Sequence, residues 1–383
     1  MKVLYYTWNE ITYETCRNAM LEKGWKVDCV DYQFKSYDYD EQFMDNLREQ
    51  LREGYDFLFS FDYFPIISTV AQENSVLYVS WIYDSPHHTL ESKTLGNEFN
   101  RVFLFDLDMC TRYRKRGFTN LFYMPMAYNH NHIAKLFEGK QLSYKHDVTF
   151  AGAVHDNKKS NLNKIQNMPP ELKGYIRGIE EAQLLIYGYD MIDELFSDEK
   201  CDELAKYASV DFGPLYYDCR NTIFRNFIRE DISAIGRKRA IEAIAGRFSL
   251  SLYSGKCPED IPVKYMGYAN ATTELPIIFR ESKININISA RSILSGLPLR
   301  IIEVMGAGGF MISNYQAEMQ EYFVNDKDIV WFDSQEEMLD KIGFYLENDS
   351  DREAIRQRGE QRVRQLFTYD RLLDELLNYA FGL

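Results

Sequence analysis

Short apolar runs rich in β-branched and aromatic residues recur along the chain, and segments with three-to-four-residue apolar spacing separate them. The first kind of pattern predicts buried strands and the second predicts amphipathic helices. In the first part, strands are expected at Lys2–Trp8, Lys26–Tyr32, Asp56–Phe61, Ser75–Ile82, Arg101–Phe105 and Leu121–Met124. Helices are expected over 11–22, stopping at Gly24, over 40–52, and over 107–116, stopping at Gly117. Strands separated by helices of this length form parallel βαβ units, and so a doubly wound sheet.

A second series starts at Asp147–Ala151 and runs into Gly152. Residues 157–235 break the rhythm and read as a helical insertion. Strands return at Phe248–Tyr253, Val263–Met266, Ile284–Ile288, Phe310–Ser313 and Ile329–Phe332, with helices over 238–246, 272–282, 298–306, 335–347 and 350–365 and a last one over 368–380. The expected organisation is an N-terminal Rossmann-like domain over 1–145 and a second over 146–367 that carries the insertion. A C-terminal helix over 368–383 is expected to pack back on the first domain. Ligands of open parallel sheets sit beyond the carboxyl ends of the strands, so the cleft between two such domains is the expected site.

Composition narrows the class. Of 383 residues, 45% are hydrophobic and 27% charged, as in globular proteins. A net charge of −14 argues against a nucleic-acid partner, although Arg112, Arg114, Lys115 and Arg116 form a local basic patch. The six cysteines show no C-x-x-C spacing and are expected to be reduced thiols of a cytoplasmic protein. The start MKVLYYTWNE lacks a signal-peptide core, and no run of 18 apolar residues exists, so no integral membrane association is expected.

The segment Ser289–Gly309 carries the most chemistry. A glycine-containing loop with Arg291, Ser295 and Gly296 follows a strand, and Pro298 and Leu299 open a helix with Arg300 in its first turn. Unpaired amides at such a helix start suit a diphosphate, and Arg300 is placed to clamp phosphate oxygens. Glu303, one turn on, is placed to accept hydrogen bonds from ribose hydroxyls. Arg300 and Glu303 are also i,i+3 neighbours, and a plain surface ion pair is the alternative.

This segment resembles the group 1 glycosyltransferase signature, in which an acidic residue binds the nucleotide ribose. Retaining members commonly carry two glutamates eight positions apart. Here Glu303 has Ser295 eight residues earlier, which leaves the hexose-contacting carboxylate unfilled. Asp147–Gly152, Tyr265–Tyr268, Ile284–Ser289, Gly308–Asn314, the tail Phe367–Arg371 and Trp81–Pro86 further resemble the CgeB-like (spore maturation protein) family, which has the same C-terminal module. The resemblance implies a GT-B fold of two facing Rossmann-like domains. It also implies metal-independent, retaining transfer from a nucleotide-sugar, UDP-sugar favoured, to a hydroxyl acceptor on a glycan, protein or small molecule. Gly152, Tyr253, Ser254, Gly267 and Tyr268 are then expected beside the donor, with Tyr268 stacking on the base. A nucleotide-sugar 2-epimerase of the same fold, or a binding protein with a decayed site, are the alternatives.

On the acceptor side, Trp8, Asn9, Asp62, Asp84, His87 and His88 follow strands of the first domain. Asp84 or His87 is the expected base for an acceptor hydroxyl. Asp106–Leu107–Asp108 is a D-x-D pattern that could hold a divalent cation, but it precedes a helix for which Asp108 is a good N-cap. No metal or cofactor is expected.

Overall fold

The computed structural model describes residues 1–154, 160–258 and 260–382. The chain divides into two compact units, residues 1–129 with 211–219 and 367–383, and residues 130–210 with 220–366. The first expected boundary at 145 and the expected insertion over 157–235 are both cut differently here: 130–145 goes with the second unit and 211–219 with the first. Residues 157–159 of the expected insertion, and Leu383 of the expected C-terminal segment, lie outside the described residues.

The first unit holds a parallel sheet in the order β2-β1-β3-β4-β5-β6. Its strands are β1 (Lys2–Tyr6), β2 (Lys26–Val30), β3 (Phe57–Phe61), β4 (Tyr78–Ile82), β5 (Asn100–Leu104) and β6 (Leu121–Tyr123). Every residue of β3 and β4 is buried, as both faces of a covered parallel sheet require. The helices α1 (Tyr13–Glu22), α2 (Glu41–Leu51), α3 (Pro65–Glu73) and α4 (Leu107–Lys115) connect them. The last helix of the chain, α15 (Tyr369–Phe381), buries Tyr369, Leu372, Leu373 and Leu376 in the same core as Trp81, Phe59 and Phe103.

The second unit opens with α5 (His130–Phe137) and has the sheet order β12-β11-β10-β7-β8-β9, again all parallel. Its strands are β7 (His146–Ala151), β8 (Leu250–Tyr253), β9 (Lys264–Gly267), β10 (Ser282–Asn287), β11 (Met311–Asn314) and β12 (Val330–Phe332). Around it lie α10 (Leu275–Arg280), α11 (Leu299–Gly306), α12 (Met319–Tyr322), α13 (Gln335–Glu347) and α14 (Asp349–Leu366).

Between β7 and β8 stand α6 (Pro170–Leu184), α7 (Ile192–Leu195), α8 (Asp198–Leu204) and α9 (Arg220–Ala245). They share their own core of Leu172, Ile176, Phe196, Phe224 and Ile228. The helix expected over 238–246 is the C-terminal part of the 26-residue α9, which starts inside the expected insertion. Gly236 does not end the helix. A Cβ there would stand 3.1 Å from Leu184 Cδ2, so the glycine lets α6 pack close.

Asp106, not Asp108, caps α4: its carboxylate accepts from the Met109 amide at 2.9 Å, while Asp108 pairs with Arg112. The cap falls to Asp106 because the helix begins at Leu107, two residues earlier than a cap at Asp108 requires. Of the basic patch, Arg116 is engaged by the buried carboxylate of Glu91 at 2.8 Å. No described helix is long and apolar enough to cross a membrane. Among the described residues no group of three or more His, Cys, Asp or Glu could hold a metal ion.

Candidate functional site

The carboxyl edge of the second sheet gathers the residues expected on the donor side. β10 lies between β7 and β11, so the loops after these three strands are neighbours. The loop leaving β10 is stitched to the loop leaving β11: the Asn314 side chain accepts from the Ser289 amide at 2.7 Å, and the Glu318 amide donates to the Ser295 carbonyl at 3.1 Å. Pro298 then precedes α11 with an extended backbone. The Ile301 amide donates back to the Pro298 carbonyl at 3.0 Å, which leaves the Leu299 and Arg300 amides without intrahelical acceptors. Gly308 and Gly309 close the other end. Gly308 has φ +71°, and a Cβ on Gly309 would lie 2.9 Å from the Phe279 carbonyl, Asn285 and Val304, so no side chain fits.

In the first turn, Arg300 Nη1 donates to Glu303 Oε2 at 2.7 Å, and the guanidinium lies over the Phe279 ring. Burial pushes the Glu303 carboxyl above its ordinary range, and Arg300 opposes that shift. A second guanidinium stands close by. Arg237, on α9, donates from Nε to the Ile288 carbonyl at 3.1 Å and from Nη1 to the Ala153 carbonyl at 3.4 Å, so it spans the ends of β10 and β7. Burial pulls the Arg237 guanidinium below its ordinary range, and the positive charge of Arg300 pulls it the same way. Among the described residues no carboxylate pairs with Arg237. Two cations, one of them desolvated and repelled by the other, call for an anion between them.

The remaining donor-side residues sort by their partners. Arg291 is held by the insertion: its amide donates to Ser233 Oγ at 2.8 Å, its guanidinium to the Ile186 carbonyl at 2.8 Å, and it stacks over Tyr187. Ser295 Oγ donates to Glu318 Oε1 at 2.6 Å, which puts a buried carboxylate of the β11 loop beside Ser295. Gly296 is buried, and Leu299 is the first residue of α11. The Gly152 amide donates to the Tyr253 carbonyl at 3.0 Å, whereas the Tyr253 hydroxyl turns to His146 Nε2. The Ser254 amide donates to the Gly267 carbonyl beside an irregularity in the β8–β9 pairing, and Gly267 has φ +82°. Tyr268 follows with 73% of its surface exposed, leaving its ring face open for stacking.

In the first unit, a carboxylate–imidazole group forms where β3 and β4 end side by side. Asp62, 2% exposed and with φ +58°, accepts at Oδ1 from the amides of Tyr83 and Asp84 at 3.0 and 3.2 Å. His87 Nε2 accepts from the Tyr63 amide at 3.0 Å. Nε2 also lies 3.2 Å from the Tyr63 carbonyl, and Nδ1 lies 3.9 Å from Asp62 Oδ1. Asp84 is exposed at the edge of this group. Desolvation by the surrounding protein pushes its carboxyl above the ordinary range, the Asp62 charge adds to that, and His87 pulls it back. His88, next along, is exposed and begins a short 3-10 turn; desolvation and the charge of His87 lower its pKa. At the end of β1, Trp8 Nε1 donates to the Phe61 carbonyl at 3.3 Å, which brings its ring to the end of β3. Asn9 turns the chain with φ +66°. Glu10 holds that turn by accepting from the Tyr5 and Thr7 hydroxyls and the Trp8 amide.

Residues 232–378 match a family model described as glycosyl transferase-like. Three solved structures are similar over the whole chain. HepE from Anabaena in complex with UDP-glucose is 11% identical, with 100% of each chain covered and a TM-score of 0.55. An α-glucosyltransferase in complex with UDP-glucose and DNA containing an abasic site is 11% identical, with 100% of this chain and 99% of that chain covered and a TM-score of 0.55. Sucrose-phosphate synthase from Thermosynechococcus elongatus is 10% identical, with 100% and 99% covered and a TM-score of 0.53. The fold is GT-B. No curated protein sequence matches the chain. The C-terminal part of this GT-B chain thus carries a glycosyl transferase-like module, and the module contains Arg237, Arg291, Ser295, Arg300, Glu303 and Glu318.

Two of these residues escape a reading of the sequence. Arg237 lies 63 positions before Arg300 and is identified by its backbone acceptors, which only the folded chain assembles. Glu318 lies in an acidic stretch, Glu318 and Glu321, whose composition reads as a solvated turn. A usable signal did exist for Arg237: it follows Gly236 in the middle of a helical pattern, where a conformationally costly residue points to close packing.

Proposed function

We propose that this chain transfers a sugar from a nucleoside-diphosphate donor, a UDP-sugar by preference, to a hydroxyl acceptor on a glycan, protein or small molecule. The resemblance of its motifs further supports a place in the CgeB-like family. The observation that carries the reading is a pair of guanidinium groups whose charges act on each other: Arg300 in the first turn of α11, paired with Glu303, and Arg237 across the ends of β10 and β7. The diphosphate would lie on the α11 amides and between the two arginines, and Glu303 would accept from the ribose hydroxyls. Tyr268 would stack on the base. The Ser295–Glu318 pair would accept from hydroxyls of the sugar, a reading that supports retention of configuration at the transferred carbon.

In the reaction, the bond between the sugar carbon and the β-phosphate oxygen breaks, and its electron pair stays with the nucleoside diphosphate. Two fixed cations stabilise that leaving charge in a partly dry site, where they act more strongly than in water. We assign this task to arginines and not to a metal ion, since the Asp106 and Asp108 carboxylates are taken up by the α4 cap and by Arg112. The acceptor hydroxyl bonds to the sugar carbon and loses its proton to Asp84, with His87 and Asp62 holding that carboxylate's surroundings.

A panel of nucleotide-sugars with mass detection of the products, with and without candidate acceptors, tests the reading. The expected result is release of UDP coupled to a glycosylated acceptor. A chain that shows no turnover and no stabilisation by UDP, GDP or dTDP would be a binding protein with a decayed site.

Asp84→Asn is expected to lower kcat by about 10²–10⁴-fold, the usual contribution of a positioned base. The base must be ionised to act, and its pKa is raised. The wild-type rate should therefore fall with decreasing pH from a point above the ordinary aspartate range. A pH profile of kcat for the two proteins checks this; the acid limb should vanish in the variant.

A further inference from the structure

The helical insertion contains a cavity of about 420 Å³ whose wall is formed by α6, α9 and the segment before α6. It lies within the size range of small-molecule sites. Two carboxyl groups meet in its wall, Glu180 from α6 and Asp231 from α9, 4% and 3% exposed. The two oxygens of Asp231 accept from the Asn163 side-chain amide at 3.2 and 3.1 Å. The Glu180 carboxyl lies within hydrogen-bond reach of Asp231, and its buried Oε1 meets no other donor. A buried acceptor left this way is costly unless something fills its place.

The rest of the wall narrows the chemistry. Leu162, Met168, Ile176 and Ile235 give it an apolar side. Four cations also line it, and they are not equivalent. Arg239 is held by Glu181 in a two-pronged pair at 2.6 and 2.7 Å, and Lys238 lies 3.7 Å from Glu242. Lys173 and Arg177, one helical turn apart on α6, are exposed and form no close ion pair among the described residues, although the Arg177 charge reaches Glu180. The cavity thus offers hydrogen-bond acceptors inside, apolar contact along its length and unpaired positive charge at its mouth. A metal ion would be repelled by those cations, and a purely apolar ligand would leave the carboxyls unmet.

From this we infer that the insertion binds a small anionic sugar, with hydroxyls on the Glu180–Asp231 pair and a phosphate or carboxylate on Lys173 and Arg177. Burial and the Asp231 charge push the Glu180 carboxyl up to about 8, so a hydroxyl that donates to it competes with its proton. The inference does not depend on the donor-side reading, because none of these residues belongs to that edge.

Calorimetric titration of the full chain with glucose 6-phosphate tests it, with glucose and inorganic phosphate as separate probes. The expected result is saturable binding of glucose 6-phosphate, weaker by about tenfold or more for either fragment, since each keeps one half of the contacts. The double variant Lys173→Ala/Arg177→Ala changes exposed residues only, so the fold is retained, and it should lose about tenfold or more in affinity for the phosphorylated probe. Glu180→Met should weaken the phosphorylated probe and leave inorganic phosphate unchanged. UDP binding should be the same in all of these proteins, which separates this cavity from the donor edge. Absence of saturable heat, as for a cavity holding water alone, or a titration unaltered by both variants, overturns the inference.

Discussion

Arg300→Ala should lower kcat/KM for sugar transfer by about 10²–10³-fold, the loss seen when one fixed donor to a developing anion is removed. The size follows from the surroundings. Arg300 is only partly exposed, stacks on Phe279 and neutralises Glu303 at 2.7 Å. Removal takes a cation from the departing diphosphate and also leaves the Glu303 carboxyl without its charge partner. That carboxyl, already pushed up by burial, would then be harder to ionise and a poorer acceptor for ribose. Arg300→Lys should recover part of the rate, since it keeps the charge but not the planar, two-pronged geometry. Arg237→Ala should produce a loss of similar order. The double variant should fall short of the product of the two single effects, because both groups meet one ligand. Steady-state kinetics with a saturating acceptor measure all four proteins.

Arg229→Ala is expected to destabilise the second unit by about 3–5 kcal/mol, the cost of breaking a buried ion pair from one side. Arg229 lies on α9 with its side chain 4% exposed, and it contacts Asp190 and Asp193 at 2.6 Å each. Burial alone would lower the guanidinium pKa, but the two carboxylates outweigh it and hold the charge firmly in place. The expected consequence reaches the donor edge along the same helix. Four residues beyond Arg229, Ser233 holds the Arg291 amide, and eight residues beyond, Arg237 spans the ends of β7 and β10. Urea unfolding should show the lost stability, and UDP affinity should fall with it. Arg229→Met fills the space without the charge and should also lose stability, since the carboxylates remain.

Much of this architecture was legible in the chain. β3 and β4, with FLFSF and YVSWI, stand within three residues of the boundaries that their apolar runs indicate. α11 begins one residue after Pro298, as a proline at a helix start predicts. The placing of Arg300 and Glu303 in the first turns of a helix after a strand and loop was legible because these parts are contiguous. That Asp62, Asp84 and His87 would come together was legible because residues just past adjacent parallel strands converge.

The rest was hidden for identifiable reasons. α3 was missed because Pro65, Ile66, Ile67, Ser68, Val70 and Ala71 are all buried, so no polar face marks a helical period. α5 is short, and none of its residues is buried. α9 runs through both the end of the expected insertion and the helix expected from 238, and Gly236 between them is the point where Leu184 of α6 comes close. Arg237 and Glu318 gave no signal because their partners, two strand-end carbonyls and a serine hydroxyl, lie far off in sequence. Side chains that bind backbone groups across a fold leave no spacing to read.

The central claim is that the start of α11, with Arg237 and Arg300, grips a nucleoside diphosphate. Phosphorus NMR of UDP titrated with the wild-type chain and with Arg237→Ala tests it directly. The account predicts that both phosphorus signals shift or broaden on binding to the wild type, saturably, and that the effect is lost or strongly weakened in the variant. Signals that shift equally with both proteins, or that never shift, would contradict it.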